Sequence, residues 1–148
     1  MIGYNALREQ QQQEVNNFPL GFAFGNKQFK EMMSKWGLDA DNESDLKKVS
    51  HLFSGAYILK KDIPAYKEMC RRHSEEYEAA IAADKTGDGF CYEMFYYELC
   101  NHEFGYTGDY EDTLDALGLT WEQVQSQENL KHGLEKAANK IMHEEDCF

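Results

Sequence analysis

The segment from Asp84 to Tyr110, DKTGDGFCYEMFYYELCNHEFGYTGDY, interleaves aromatic rings with carboxylates and has Lys85 as its one Lys or Arg. Aromatic residues are normally spent on a core and carboxylates on a solvated face. A stretch dense in both therefore predicts a helix buried on one side and strongly acidic on the other. From Asp62 to Asp112 there are thirteen acidic residues against four basic ones. This region thus carries most of the charge of a 148-residue chain whose 27 acidic and 15 basic side chains sum to −12.

The flanking segments divide at turn chemistry. NALREQQQQEVNN has helix formers but few apolar anchors, Leu7 and Val15, so residues 1–15 read as a marginal helix or a mobile arm. NNFPLGFAFGN reads as an irregular apolar connection with room for a short strand. Asn26 is placed to cap a helix carrying Phe29, Met32, Met33 and Trp36 on one face, which stops at Gly37. VSHLF and AYILK flank Ser54-Gly55 and predict a two-stranded hairpin. Asp62 and Pro64 open a helix running to about Ala83. A glycine turn, Lys85 to Gly89, leads to a second helix over Phe90 to about Phe104. A short helix ends at Gly118, TWEQ from Thr120 forms a capping box, and a last helix covers about Gln127 to His143 with Leu130, Leu134, Ala137, Ala138 and Ile141 inward. The expected fold is a single domain over 1–148, mainly α, with a small two-stranded β-hairpin.

Charge and length exclude some functions. An acidic surface repels nucleic acid and anionic membrane and attracts basic partners. No run approaches the roughly 18 apolar residues of a membrane span, and no signal-peptide pattern opens the chain. The expectation is a soluble, cytoplasmic protein whose four cysteines, Cys70, Cys91, Cys100 and Cys147, are reduced thiols.

Several chemistries can be weighed on the residues. Asp84, Thr86, Asp88 and Gly89 fit the first half of a calcium loop, but the twelfth position is Phe95 where a bidentate Glu is needed. Cys70 and His73 at i, i+3, with Cys100 and His102, are the candidate metal or thiol set, although Cys100 and His102 are two apart and diverge on a helix. NHEF at Asn101 to Phe104 begins like a zinc hydrolase helix, but Tyr106 stands where the second His is required. No cofactor and no catalytic residue is assigned. An acidic face can instead sit in a cationic channel built for a phosphate backbone, as a DNA mimic does, with tyrosines as flat anchors.

Three stretches, NNFPLGFAFGNKQFKEMMSKWGL, DKTGDGFCYEMFYYELCNHEFGYTGDYEDTLDALGL and LKHGLEKAANK, together resemble a family of small uncharacterised proteins from gut-bacterial mobile elements and their phages, over Asn16 to Lys140. The resemblance implies an inhibitor of host defence, of the anti-CRISPR or anti-restriction kind, by association of source and charge. The function expected is stoichiometric, non-enzymatic binding to a basic partner such as a Cas effector, by occlusion of its basic groove. Glu93, Glu98, Glu103, Asp109, Glu111 and Asp112 are the expected contact residues, with Tyr97 and Tyr106. The alternatives are a small metal- or thiol-dependent enzyme using Cys70, His73, Cys100 and His102, and a structural or regulatory protein of the element.

Overall fold

The computed structural model describes residues 2–144. In chain order the elements are α1 (Tyr4–Asn17), β1 (Leu20–Phe22), α2 (Asn26–Lys35), α3 (Glu43–Leu46), β2 (Val49–Phe53) and β3 (Ala56–Leu59). A 3-10 turn (Lys60–Asp62) then leads to α4 (Ile63–Ala83), α5 (Phe90–Asn101), α6 (Phe104–Thr107), α7 (Glu111–Leu117), α8 (Trp121–Ser126) and α9 (Glu128–His143). The protein is mainly α, with one small antiparallel sheet among the described residues. The chain divides into two compact units, residues 13–73 and residues 1–12 with 74–148, and both division points fall inside helices, α1 and α4. Helical periodicity continues unbroken through such points, so no turn or linker composition marks either one.

In the unit of residues 13–73, the hairpin forms where Ser54-Gly55 placed it, with Ser54 at φ 44°. It gains a third strand: β1 pairs antiparallel with β3, in the order β1-β3-β2. Helix α2 packs on this sheet, with Met32 and Met33 buried and Phe29 edge-on to Tyr57 at 5.4 Å. The expected cap of α2 is not used. Asn26 is already helical, and the Gln28 side chain instead accepts a hydrogen bond from the Phe24 backbone N–H at 2.8 Å.

The other unit is built on α5 and α9. Phe90, Cys91, Met94, Phe95, Glu98 and Leu99 form the buried stripe of α5, and α9 answers with Leu130, Leu134, Ala137, Ala138 and Ile141. The helices approach closely because Gly133 lies against the Cys91 side chain; a Cβ at Gly133 would come within 2.8 Å of the Cys91 Cβ. Thr120 and Gln123 make the expected capping box at the start of α8. The predicted long helix from Phe90 stops earlier, at Asn101, because Glu103 turns left-handed at φ 58° and restarts the chain as α6.

Residues 4–12 are a packed helix segment and not a mobile arm. Tyr4, overlooked among the polar residues, is 3 % exposed and its ring sits 5.7 to 5.9 Å from those of Phe90, Tyr77 and Tyr97. The Glu93 carboxylate accepts the Tyr4 backbone N–H at 2.9 Å, so an anion sits at the helix start where the macrodipole favours it.

The loop between α4 and α5 is the tightest joint. The buried Asp84 carboxylate accepts from the backbone N–H groups of Gly87, Gly89 and Cys91, at 2.9 to 3.2 Å. Asn129 of α9 donates to the Ile81 and Asp84 carbonyls at 2.9 and 3.1 Å, closing the end of α4. Gly87 lies at φ +84°, and a Cβ there would overlap the Asn129 carbonyl oxygen. Gly87→Ala therefore combines left-handed strain with a backbone clash, and it is expected to lower unfolding free energy by about 3 kcal/mol in a urea titration.

Candidate functional site

The acidic residues singled out in the sequence separate into two groups. Glu98 is buried: its Oε1 accepts the Tyr4 hydroxyl at 2.8 Å, and its Oε2 lies 3.4 Å from His102 Nε2. It belongs to the core stripe at four residues from Met94 and eight from Phe90, a spacing that could have identified it. Glu93 caps α1. Both carboxylates hold the N-terminal helix; Glu98 is withdrawn from the surface by burial, whereas Glu93 stays exposed with one oxygen engaged by the Tyr4 N–H. Tyr97 is withdrawn too, because it is half-buried with the Arg8 guanidinium 4.4 Å from its ring centre. Lys136 and Lys140 cover the Tyr92 and Tyr96 rings in the same way, at 4.6 and 5.6 Å.

The second group is solvent-facing. Glu103, Asp109, Glu111 and Asp112 are exposed, and Tyr106 is 94 % exposed on the short α6. Asp109 Oδ1 also accepts the Glu111 N–H at 2.9 Å, which starts α7. Thr113 anchors α7 by donating its hydroxyl to the Glu98 carbonyl at 3.3 Å.

Beside these residues runs an aromatic stack missed in the sequence. Phe104 and Tyr110 stack at 4.9 Å and 20°, and Tyr110 and Trp121 at 5.6 Å and 27°; the outermost ring, Trp121, is 47 % exposed. Tyr110 and Trp121 enter a cleft of about 450 Å³ that is rimmed by Asp109, Glu111 and Asp115 and floored by Leu114 and Leu119. No Lys or Arg occurs between Lys85 and Lys131, a stretch with ten acidic residues. Flat rings beside carboxylates are chemically suited to a cationic side chain, which can ion-pair with the acids and meet the negative ring face. Burial, reinforced by the Glu135 charge, raises the Tyr110 pKa, so the ring that joins the stack stays neutral.

The metal and thiol candidates have separate engagements. Cys100 is disulfide-bonded while Cys70 and Cys91 are free, which corrects the expectation of reduced thiols throughout; Cys147 lies outside the described residues. His73 Nε2 lies 3.5 Å from a Glu14 oxygen, and His102 faces Glu98. Cys70 is exposed beside Tyr66. The calcium reading also fails on the loop itself, where Asp84 is consumed by three backbone donors and Asp88 is held below the usual carboxylate range by His132 and Lys136, at 2.7 and 3.2 Å.

Burial, with the nearby Asp84 charge, pushes the Cys91 thiol up to about 12. Alkylation at neutral pH followed by mass-spectrometric mapping should therefore label Cys70 in the native protein and Cys91 only after unfolding. Burial, the hydrogen bond to Glu98 and that carboxylate's charge raise the Tyr4 hydroxyl above its ordinary value of 10.0. The sign follows from linkage: the folded state favours the protonated phenol, so this contribution is intact below about pH 10 and is lost as pH rises further. In an alkaline absorbance titration Tyr4 should ionise only with unfolding. Tyr4→Phe, which strips a buried carboxylate of its donor, should cost about 1–3 kcal/mol.

No helix among the described residues is long and apolar enough to cross a membrane. No curated protein and no solved structure matches the chain. A family model does match, over residues 3–140, and the chain belongs to that family, described as a family of unknown function (DUF7659).

Proposed function

We propose that this protein acts by stoichiometric, non-enzymatic binding of a basic partner through the exposed acidic and aromatic surface of α6, α7 and the start of α8. The observation that carries this reading is the Phe104–Tyr110–Trp121 stack opening into a cleft rimmed by Asp109, Glu111 and Asp115, in a stretch without a single Lys or Arg. Carboxylates alone would be an ordinary solubility device. An exposed Trp stacked beside them adds the kind of rigid aromatic anchor that concentrates binding energy at interfaces. Arginine suits the site best, since its guanidinium stacks on rings while forking to carboxylates.

The class of partner follows from the charge and from the family resemblance together. A row of carboxylates with flat anchors matches a groove that otherwise holds a phosphate backbone. A nucleic-acid-handling defence complex of the Cas-effector type is the target we infer, with the protein as a mobile-element or phage inhibitor. Catalysis is the weaker reading: the free thiol nearest the core is protonated and buried, and the buried Glu98 is already engaged by Tyr4.

A direct test is calorimetric titration of an arginine-rich peptide into the protein at low and high salt. Affinity is expected to fall by about tenfold or more between roughly 50 mM and 500 mM salt, as ion pairs at an exposed rim are screened. Neutralising Glu111→Gln, Asp112→Asn and Asp115→Asn together should abolish binding while leaving the thermal midpoint near that of the parent. Salt-independent binding, or full binding by the triple variant, would contradict the proposal.

A further inference from the structure

Net charge averages over two very different units. Residues 13–73 carry ten Lys or Arg against eight Asp or Glu, whereas the remainder carries five against nineteen. Within residues 13–73 the bases converge. One lysine doublet, Lys47-Lys48, immediately precedes β2, and a second, Lys60-Lys61, immediately follows β3. Antiparallel pairing of Val49 with Leu59 brings the doublets side by side, and the Lys60 N–H donates to the Lys48 carbonyl at 2.8 Å. Like charges placed opposite one another across a ladder are destabilising. Only Lys48 has a carboxylate partner, Asp45 at 3.1 Å, and that carboxylate also accepts the Asp39 N–H. Lys47, Lys60 and Lys61 have no ion-pair partner among the described residues.

All four lysines line a cleft of about 410 Å³. Its floor is apolar, made by Leu38, Leu59 and the half-buried Trp36 indole. The volume lies in the range of small-molecule sites. An apolar floor with an aromatic wall suits a flat ring, and a rim of uncompensated lysines suits several negative charges on one short tail. A ligand carrying both would relieve the repulsion that the hairpin register imposes.

We propose that this cleft is a binding site for a nucleoside polyphosphate, with the base against Trp36 and the phosphates among Lys47, Lys48, Lys60 and Lys61. This site is independent of the acidic surface and uses none of its residues. A free nucleotide fits better than a nucleic-acid strand, because a long polyanion would also meet the field of a chain with net charge −12.

The test is calorimetric titration of the full chain with ATP, with adenosine, inorganic tripolyphosphate and a single-stranded oligonucleotide as separate arms. ATP is expected to bind saturably at one per chain, with tripolyphosphate about tenfold or more weaker and adenosine showing no binding, since ring and phosphates contribute jointly. The double variant Lys47→Gln/Lys60→Gln, which leaves the Lys48–Asp45 pair in place, should weaken ATP by about tenfold or more. In the absence of ligand it should melt no lower than the parent, because neutralisation removes repulsion. Four results would each overturn the proposal: no saturable ATP binding, equal affinity for ATP and tripolyphosphate, ATP affinity unchanged in the variant, or an oligonucleotide that binds where ATP does not compete. A lower melting point for the ligand-free variant would overturn the repulsion that motivates the site.

Discussion

The joint between Asp84, Gly87 and Asn129 is the constraint on which the larger unit depends. One buried carboxylate collects three backbone N–H groups from the turn, and one carboxamide closes two carbonyls at the end of α4. Neither arrangement tolerates substitution by an apolar residue without stranding buried polar backbone. Together they set where α5 begins and how closely α9 approaches it, and Gly133 against Cys91 keeps that spacing short. The stripe of α5 is then in register to bury Phe95 and Leu99, and to place Glu98 under the Tyr4 hydroxyl.

That chain of dependence reaches the surface. Thr113 hangs α7 from the Glu98 carbonyl, and Phe104 packs in the core while stacking on Tyr110. Trp121, the exposed ring of the stack, thus rests on a series of buried contacts and not on a loop alone. A rigid aromatic loses less conformational entropy on binding than a mobile one would. The carboxylates around it are held by a helix, α7, whose first N–H donates to one of them, Asp109.

Much of the architecture was legible because it is written in local chemistry. Ser54-Gly55 between alternating runs, the Thr120–Gln123 box, and the spacing of Leu130, Leu134 and Ile141 each act within a few residues. What escaped the sequence reading depends on distant partners. Tyr4 looks like one aromatic in a polar stretch until Phe90, Tyr77 and Tyr97 surround it. Glu98 looks like one more surface acid until the α5 stripe is read at four-residue steps. Asn26 offers a cap, but the chain enters α2 one residue too early to use it. The lysine doublets were visible as KKVSHLFSGAYILKK, and the hairpin was anticipated, yet their convergence needs the register as well as the turn.

Charge segregation ties the two functional readings together: one surface has carboxylates without cations, and one cleft has lysines with a single engaged carboxylate. Amide-resolved NMR titration of the isotopically labelled full chain, first with an arginine-rich peptide and then with ATP, tests this most directly. The account predicts peptide-induced shifts centred on residues 103–121 and ATP-induced shifts centred on residues 36–38, 47–48 and 59–61. Peptide shifts that miss the Tyr110–Trp121 cleft, or ATP shifts scattered without focus on the hairpin's lysines, would contradict it.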